Sequence, residues 1–347
     1  MAGTRPEPQD LEVLLKQLGN LVTPMAVRVA ATLRLVDHIN AGARNAAALA
    51  AVTGAAPGPL GRVIRHLTVV GVLDEDPSGT LSPTRLGLLL ADDHPAQQRA
   101  WLDLTGAVAH ADLSFVHLLE AVRTGRPAYP VMYGLPFWED LSGTAELGAS
   151  FDALMSTDED GYDTSVTAVD WDGVRHVLDV GGGTGALLIR IARHAPHVRG
   201  TLLELAGPLS RAREPIEKAG LTDRIALLEA DFFDPLPVRA DVVAVAFVLL
   251  NWSDEDALRI LRNCAGALEP GGRIMLIERL DQPDSAADPF FGTLLDLRML
   301  AFSGGRVRTR EEYTALAADA GLAVESVVPL KSPVLPFEFS LLVLTSA

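Results

Sequence analysis

Val177-Leu178-Asp179-Val180-Gly181-Gly182-Gly183-Thr184-Gly185 decides the fold: an apolar run ends on an acid, then breaks into a glycine-rich turn ahead of a helix at 186–193. Glycines at such a turn let the backbone come close to a ligand, and the free amides of the following helix favour a negatively charged or carboxylate-bearing group. The Gly-x-Gly-x-Gly spacing of 181, 183 and 185 leaves little room for a pyrophosphate. Nineteen positions past Gly185, the second apolar run, 200–205, delivers Glu204, an acid able to hold both hydroxyls of a ribose. A third run, 227–230, leads into Asp231, an acid for an adenine amino group, and Phe232, a ring to flank it. Three such strand ends in this order argue for a nucleoside cofactor over a plain βαβ turn.

The chain has 347 residues, 48% of them hydrophobic, which is enough for two domains with a large core. A formal charge of −16 argues against a nucleic-acid backbone or an anionic membrane as the main partner. The longest apolar stretch, 242–250, is too short to cross a bilayer, and residues 1–10 are polar with no signal-peptide core, so a cytoplasmic protein is expected. Cys264 is the one cysteine, which excludes an intrachain disulfide and a multi-thiolate metal site; on the predicted helix 256–268 it reads as a core thiol.

The first half reads as helices at 11–18, 25–35, 46–52 and 60–70, with further long helical segments after Pro95 and a disordered start at 1–9. The order of helix 62–70, strand 71–73, turn Asp76-Pro77-Ser78-Gly79 and strand 80–83 is that of a winged helix. Arg62, Arg65 and His66 share its helix, but the acidic Asp74-Glu75-Asp76 and the overall charge oppose DNA binding. Segment 25–35 is apolar on more than one face, which calls for another chain or domain against it. Beyond Asp170, strands at 175–180, 200–205, 225–230, 240–248, 273–279, 323–330 and 339–344 alternate with helices, Pro270-Gly271-Gly272 opening the fifth. The predicted fold class is α/β, a doubly wound seven-stranded sheet with an antiparallel finish.

These motifs resemble those of the class I S-adenosylmethionine-dependent small-molecule O-methyltransferases. Along nearly the full length the chain is similar to their anthracycline-tailoring subgroup, through 21–25, 30–38, 247–252, 295–300 and 306–310. The resemblance implies a Rossmann-like methyltransferase sheet at 170–347 and an N-terminal winged-helix dimerisation domain at 1–100, intertwined in a homodimer. Linking helices within 101–169, at 103–122 and 137–156, would roof the active site. S-adenosylmethionine, or S-adenosylhomocysteine after transfer, is the implied cofactor, with Asp179, Gly181, Gly183, Glu204, Asp231, Phe232 and Ala246 around it. Asp158, Asn251 and Arg298 would face an anthracycline. Met155, Phe291 and Met299, with Met132 and Phe302, add adaptable apolar surface suited to a flat polycyclic ligand.

At the fourth strand end, where the family commonly carries Leu-His-Asp-Trp with the histidine as general base, this chain reads Leu249-Leu250-Asn251-Trp252. All eight histidines lie at or before His197, so none can serve the last five strand ends. Asn251 can bond a substrate hydroxyl or carbonyl, or cap the helix 253–268, a task also open to Ser253. Glu278 and Asp281 read as solvated or paired acids rather than bases, and His110 and His117, seven apart on one face of a roofing helix, as structural, the alternative being that one points into the cleft. Asp296 and Arg298 stand two apart on a helix and so face different ways, Asp296 toward the fold and Arg298 toward a ligand or a structural ion pair. The acids of 155–160 lack a calcium-loop pattern, and no metal is expected.

Two chemistries coexist in the subgroup: O-methyl transfer to an acidic phenol, and loss of a carboxylate followed by hydroxylation with dioxygen. Segment 290–295, with an added residue before the Asp-Leu-Arg helix, resembles the hydroxylase form, whereas Thr184, Gly292 and 161–168 depart from it. The balance leans slightly to hydroxylation. A cofactor-binding dimer without chemistry and a winged-helix regulator are the non-enzyme alternatives.

Overall fold

The structure, a computed structural model, describes residues 8–155, 159–281, 289–331 and 338–347. The chain divides into two compact units, one ending at His110 and the other starting at Ala111.

In the first unit, helices Pro8–Leu18, Val22–Thr32, Leu35–Asn40, Ala46–Thr53 and Pro57–Val69 precede a hairpin of β1 (Leu73–Glu75) and β2 (Leu81–Pro83). Local chemistry sets these bounds. Asn45 accepts the Ala48 amide as an N-cap, Gly54 closes the same helix in the left-handed conformation, and proline opens Pro57–Val69. The hairpin turn is held by Asp76, whose carboxylate accepts the amides of Ser78 and Thr80. The helix expected at 25–35 is two helices. Arg34 sits at φ 51° and pairs with Asp37 and Asp92, so the chain bends there and sends Leu35, Val36 and Ile39 into the core. The helix Pro8–Leu18 and the turn after it leave Leu11, Leu15, Leu18, Leu21 and Val22 exposed.

The second unit is built on a seven-stranded sheet of order β5-β4-β3-β6-β7-β9-β8. Its strands are β3 (His176–Val180), β4 (Arg199–Glu204), β5 (Ile225–Glu229), β6 (Ala240–Ala246), β7 (Leu268–Glu278), β8 (Leu322–Lys331) and β9 (Glu338–Ser346). Pairing is parallel from β5 to β7, and β9 runs antiparallel to both β7 and β8. Near-continuous apolar strands are required because helices cover both faces. Val177 and Leu202 pack on one side with Leu188 and Ile191, and Leu178 and Val243 on the other with Ile260 and Leu261. From β3 the chain winds outward to β5, then returns to β6 on the opposite side of β3. A crevice therefore opens at the strand ends between them.

Two details depart from the sequence reading. Strand β7 starts at Leu268, ahead of Pro270, and β6 adapts through an irregularity between Ala240 and Val242. The linking segments are broken helices: Ala107–Asp112, the 3-10 turn Leu113–His117 and Leu118–Thr124, then Phe137–Gly143 and Ala145–Met155. The change of helical pitch removes the common face expected of His110 and His117.

Gly200 lets helix Ala186–His194 close onto the sheet, since a Cβ there would meet Leu188 Cδ1 at 2.5 Å. Gly200→Ala is expected to lower unfolding free energy by about 1–3 kcal/mol through overpacking, read as a reduced urea midpoint at unchanged slope.

Candidate active site

The glycine turn after β3 depends on residue type at three positions. Gly181, Gly183 and Gly185 have φ of 67°, 59° and 83°, in the region where a side chain is strained. Gly182 is needed for a different reason: a Cβ there would collide with the Asp179 carboxylate and with Leu202. Asp179 is fully buried, and neither of its oxygens has a hydrogen-bond donor among the described residues. Burial, and then the nearby charge of Glu204, push its carboxyl up to about 7. Glu204, half-buried at the end of β4, accepts the Gly183 amide at 3.3 Å and the Leu205 amide at 2.7 Å. Its own carboxyl is raised by burial, against the opposing pull of those two amides.

Phe232 and Val248 close on the same turn, for a Cβ on Gly181 would lie 3.5 Å from the Phe232 ring and 3.0 Å from Val248. Asp231, next in the chain, is exposed and accepts the Phe233 amide. Ala246 ends β6 opposite Ile277. The structure thus gathers Asp179, Gly181, Gly183, Glu204 and Phe232 at one turn, with Asp231 and Ala246 on the two strand ends beside it. A buried acid without donors, a second acid beside it and an aromatic face suit a ligand with an ammonium group, ribose hydroxyls and an adenine. S-adenosylmethionine meets all three requirements.

The wall after β6 is strained and heavily braced. Phe247 has φ 54°, an unusual value for an aromatic residue. Asn251 Nδ2 donates to Phe247 O at 2.9 Å and Val248 O at 3.2 Å, so the amide nitrogen is committed to this turn and Oδ1 is the group left for a ligand donor. Asn251 is not the helix cap; Ser253 is, accepting the Asp256 amide. Leu250, at the expected base position, is buried. Glu278, read from sequence as a solvated or paired acid, is fully buried and accepts the Leu249 amide at 2.7 Å, and burial pushes its carboxyl up to about 8. Asp281 is exposed. Arg308, 0% exposed, donates to Leu249 O, Trp252 O and Asp254. Trp252 stacks edgewise on Phe232 and Phe233, tying this wall to the cofactor turn.

Helix Pro289–Phe302 carries the remaining candidates. Arg298 makes a two-pronged pair with Asp112, Nε to Oδ1 and Nη2 to Oδ2 both at 2.9 Å, while Asp296 accepts the Val307 amide. Met299 is buried, Phe291 half-buried, and Met155, the last residue of its helix, exposed. Asp158 lies outside the described residues. Segment 290–295 runs inside this helix rather than before it, with Gly292 packed against the Arg279 guanidinium. Sequence reading missed Asp112, Glu278 and Arg308 as parts of the site. Arg308 stood only within 306–310, one of the stretches that carry the family resemblance, and Asp112 gave no local signal. Among the described residues no cluster of three or more His, Cys, Asp or Glu could hold a metal ion, and no helix is long and apolar enough to cross a membrane.

A doubly wound sheet whose reversal point carries a glycine turn, paired acids and an aromatic flank defines a nucleoside-cofactor enzyme. Residues 115–323 match the O-methyltransferase domain family, and the chain belongs to it. It is 63% identical over 344 residues, 98% of this chain and 92% of the relative, to aclacinomycin 10-hydroxylase RdmB of Streptomyces purpurascens. It is 46% identical, over 91% of this chain and 94% of the relative, to 2,7-dihydroxy-5-methyl-1-naphthoate 7-O-methyltransferase of Streptomyces carzinostaticus. The crystal structure of the neocarzinostatin-biosynthesis O-methyltransferase NcsB1 with S-adenosylhomocysteine and 1,4-dihydroxy-2-naphthoic acid superposes with a TM-score of 0.90. It has 43% identity and covers 96% of this chain and 98% of its own. The chain is therefore a methyltransferase-family enzyme that takes S-adenosylmethionine, related to tailoring enzymes of antibiotic biosynthesis.

Because the folded pKa of Asp179 lies above its unfolded value, its contribution favours the cofactor-free fold below about pH 4 and is lost as pH rises toward about 7. Asp179→Asn should flatten the fall in melting temperature between pH 5 and 7.5. An identical slope in the parent and variant would contradict the buried, donor-free acid.

Proposed function

We propose that this enzyme tailors an anthracycline, removing a ring carboxylate and installing a hydroxyl from dioxygen with S-adenosylmethionine bound. The observation that carries this reading is the β6 wall. Leu250 occupies the base position, and the polar groups around it, Asn251 Nδ2, Glu278 Oε1 and Arg308, are bonded to the backbone. No histidine comes from that strand end, whereas losing carbon dioxide requires no base to take a proton. The 63% identity to a 10-hydroxylase supports the same choice.

R–COO⁻ gives R⁻ and CO₂; R⁻, O₂ and a proton give R–OOH; a two-electron reductant such as a pair of thiols converts R–OOH to R–OH and water. The sulfonium of the cofactor supplies a fixed positive charge, effective in a dry pocket. In this reading Glu204 holds the ribose, Asp231 and Phe232 the adenine, and Asp179 the donor-rich end. Asn251 Oδ1 accepts a substrate hydroxyl, Arg298 borders the polar edge of the ring system, and Met155, Phe291 and Met299 line its apolar faces. A second reading, O-methyl transfer to an anthracycline phenol, is favoured by the 46% identical naphthoate 7-O-methyltransferase and needs no strong base if the phenol is acidic.

The first unit is proposed as the homodimer surface. Leu15 and Leu18 are 70% and 76% exposed on a helix with Leu11 and Leu14 also exposed, more apolar surface than a lone solvated helix presents. Light scattering across dilution should give twice the chain mass; a concentration-independent monomer refutes it.

Incubating a carboxylated anthracycline, cofactor and a thiol under ¹⁸O₂ should give a product that has lost CO₂ and gained one labelled oxygen. Unlabelled product heavier by CH₂, with S-adenosylhomocysteine formed mole for mole, sinks hydroxylation in favour of methyl transfer.

A further inference from the structure

Between helix Pro289–Phe302 and helix Arg310–Asp319 the chain makes a short turn, 303–308, whose contacts are unusually dense. It starts by closing the first helix: the amides of Ser303, Gly304 and Gly305 all point to Met299 O, at 3.2, 2.9 and 3.1 Å. Gly305 then lies flat against the β6 wall, where a Cβ would overlap Leu250 O and the Asn251 backbone. Val307 donates its amide to Asp296 on the helix, and Arg308 O accepts the Asp281 amide beyond β7. Arg308 finally turns its guanidinium under the wall, with Nη1 to Leu249 O at 2.8 Å, Nη2 to Trp252 O at 2.7 Å and Nε to Asp254 at 2.8 Å. From the other side Glu278 accepts the Leu249 amide.

We propose that Gly305 and Arg308 are positioning residues that fix the Leu250–Asn251 backbone relative to the Arg298-bearing helix. Through this registration they set where the reacting substrate atom stands. The turn bonds both the wall and that helix within six residues. Neither Gly305 nor Arg308 is among the groups assigned to cofactor or substrate. The geometry gives the pair a role that the missing histidine leaves open: with no imidazole at this wall, rate leans on registration, and a misplacement of about 1 Å can cost roughly 100-fold. Arg308 suits the task because its planar fork reaches three acceptors at once, which an ammonium on a flexible stem cannot reproduce.

The inference rests on the proposed location of the substrate, but not on which reaction follows. It is tested with Gly305→Ala and Arg308→Lys in the full chain, scoring total product, hydroxylated plus methylated, by mass. A kcat lower by about 10- to 100-fold is expected, with substrate KM and cofactor Kd by calorimetry each within about twofold of the parent. Should either variant not fold, Asp254→Asn removes one anchor of Arg308 at an exposed acid and should lower kcat about threefold or more on the same criteria. The proposal is overturned if the folded variants keep kcat within twofold, or if kcat falls only in step with cofactor affinity and melting temperature. A methylated product from the parent enzyme, with kcat still lost in the variants, leaves the clamp standing and removes only the hydroxylation reading.

Discussion

An acid held without donors at the end of the central strand is the constraint round which the cofactor end of this fold is arranged. Asp179 is fully buried, and neither of its oxygens finds a donor among the described residues. An ionised carboxylate in that setting is costly, so below about pH 7 it keeps its proton unless a ligand supplies donors and positive charge. Gly182 makes the arrangement possible, because any larger residue would occupy the space of the carboxylate itself. Glu204 adds a second acid whose charge raises the first. The reversal of strand order between β3 and β6 then supplies the crevice into which such a ligand fits.

The second constraint lies across that crevice. Phe247 leaves β6 in a left-handed conformation that costs on the order of 1–3 kcal/mol, and Asn251 offsets part of it by bonding Phe247 O. Glu278 and Arg308 hold the rest of the turn from below. General acid–base catalysis is worth roughly 10²–10⁴-fold, about 3–5 kcal/mol, whereas orientation of reactants can supply about 7–11 kcal/mol. A site that gives up its imidazole but keeps a rigid wall therefore loses the smaller of the two contributions. For a reaction that begins by breaking a carbon–carbon bond, it loses nothing at that step.

The parts of this picture legible in the sequence are those carried by neighbouring residues. The glycine turn and the acids at the ends of β4 and β5 announce themselves through local spacing, as does the alternation of strands and helices after Asp170. Elements fixed by distant partners were not legible. Asp112 and Arg298 are 186 positions apart, Leu249 and Arg308 59. Nor does periodicity mark the bend at Arg34, which is set by acids at 37 and 92. The choice of Ser253 over Asn251 as helix cap turns on geometry at one position: Asp256 stands three residues after Ser253 and presents both the amide it accepts and a carboxylate to its hydroxyl. Asn251 faces the opposite way, back into the strained turn.

The Arg298–Asp112 pair bears on the choice between the two chemistries. Both prongs are made at 2.9 Å, and the acid is almost completely buried, so removing Asp112 would leave a desolvated guanidinium at considerable cost. With the acid in place, however, the pair carries little net charge. It offers a carboxylate much less attraction than a lone arginine would. On the proposed reading this is an advantage. A carboxylate that this arginine does not fully neutralise is held less firmly at that edge, while the delocalised carbanion left after loss of carbon dioxide depends less on a localised partner there. A methyl acceptor has no such requirement, since a phenolate gains from every added positive charge. If Arg298 borders the substrate as proposed, its neutralisation suits a substrate whose charge disperses as it reacts.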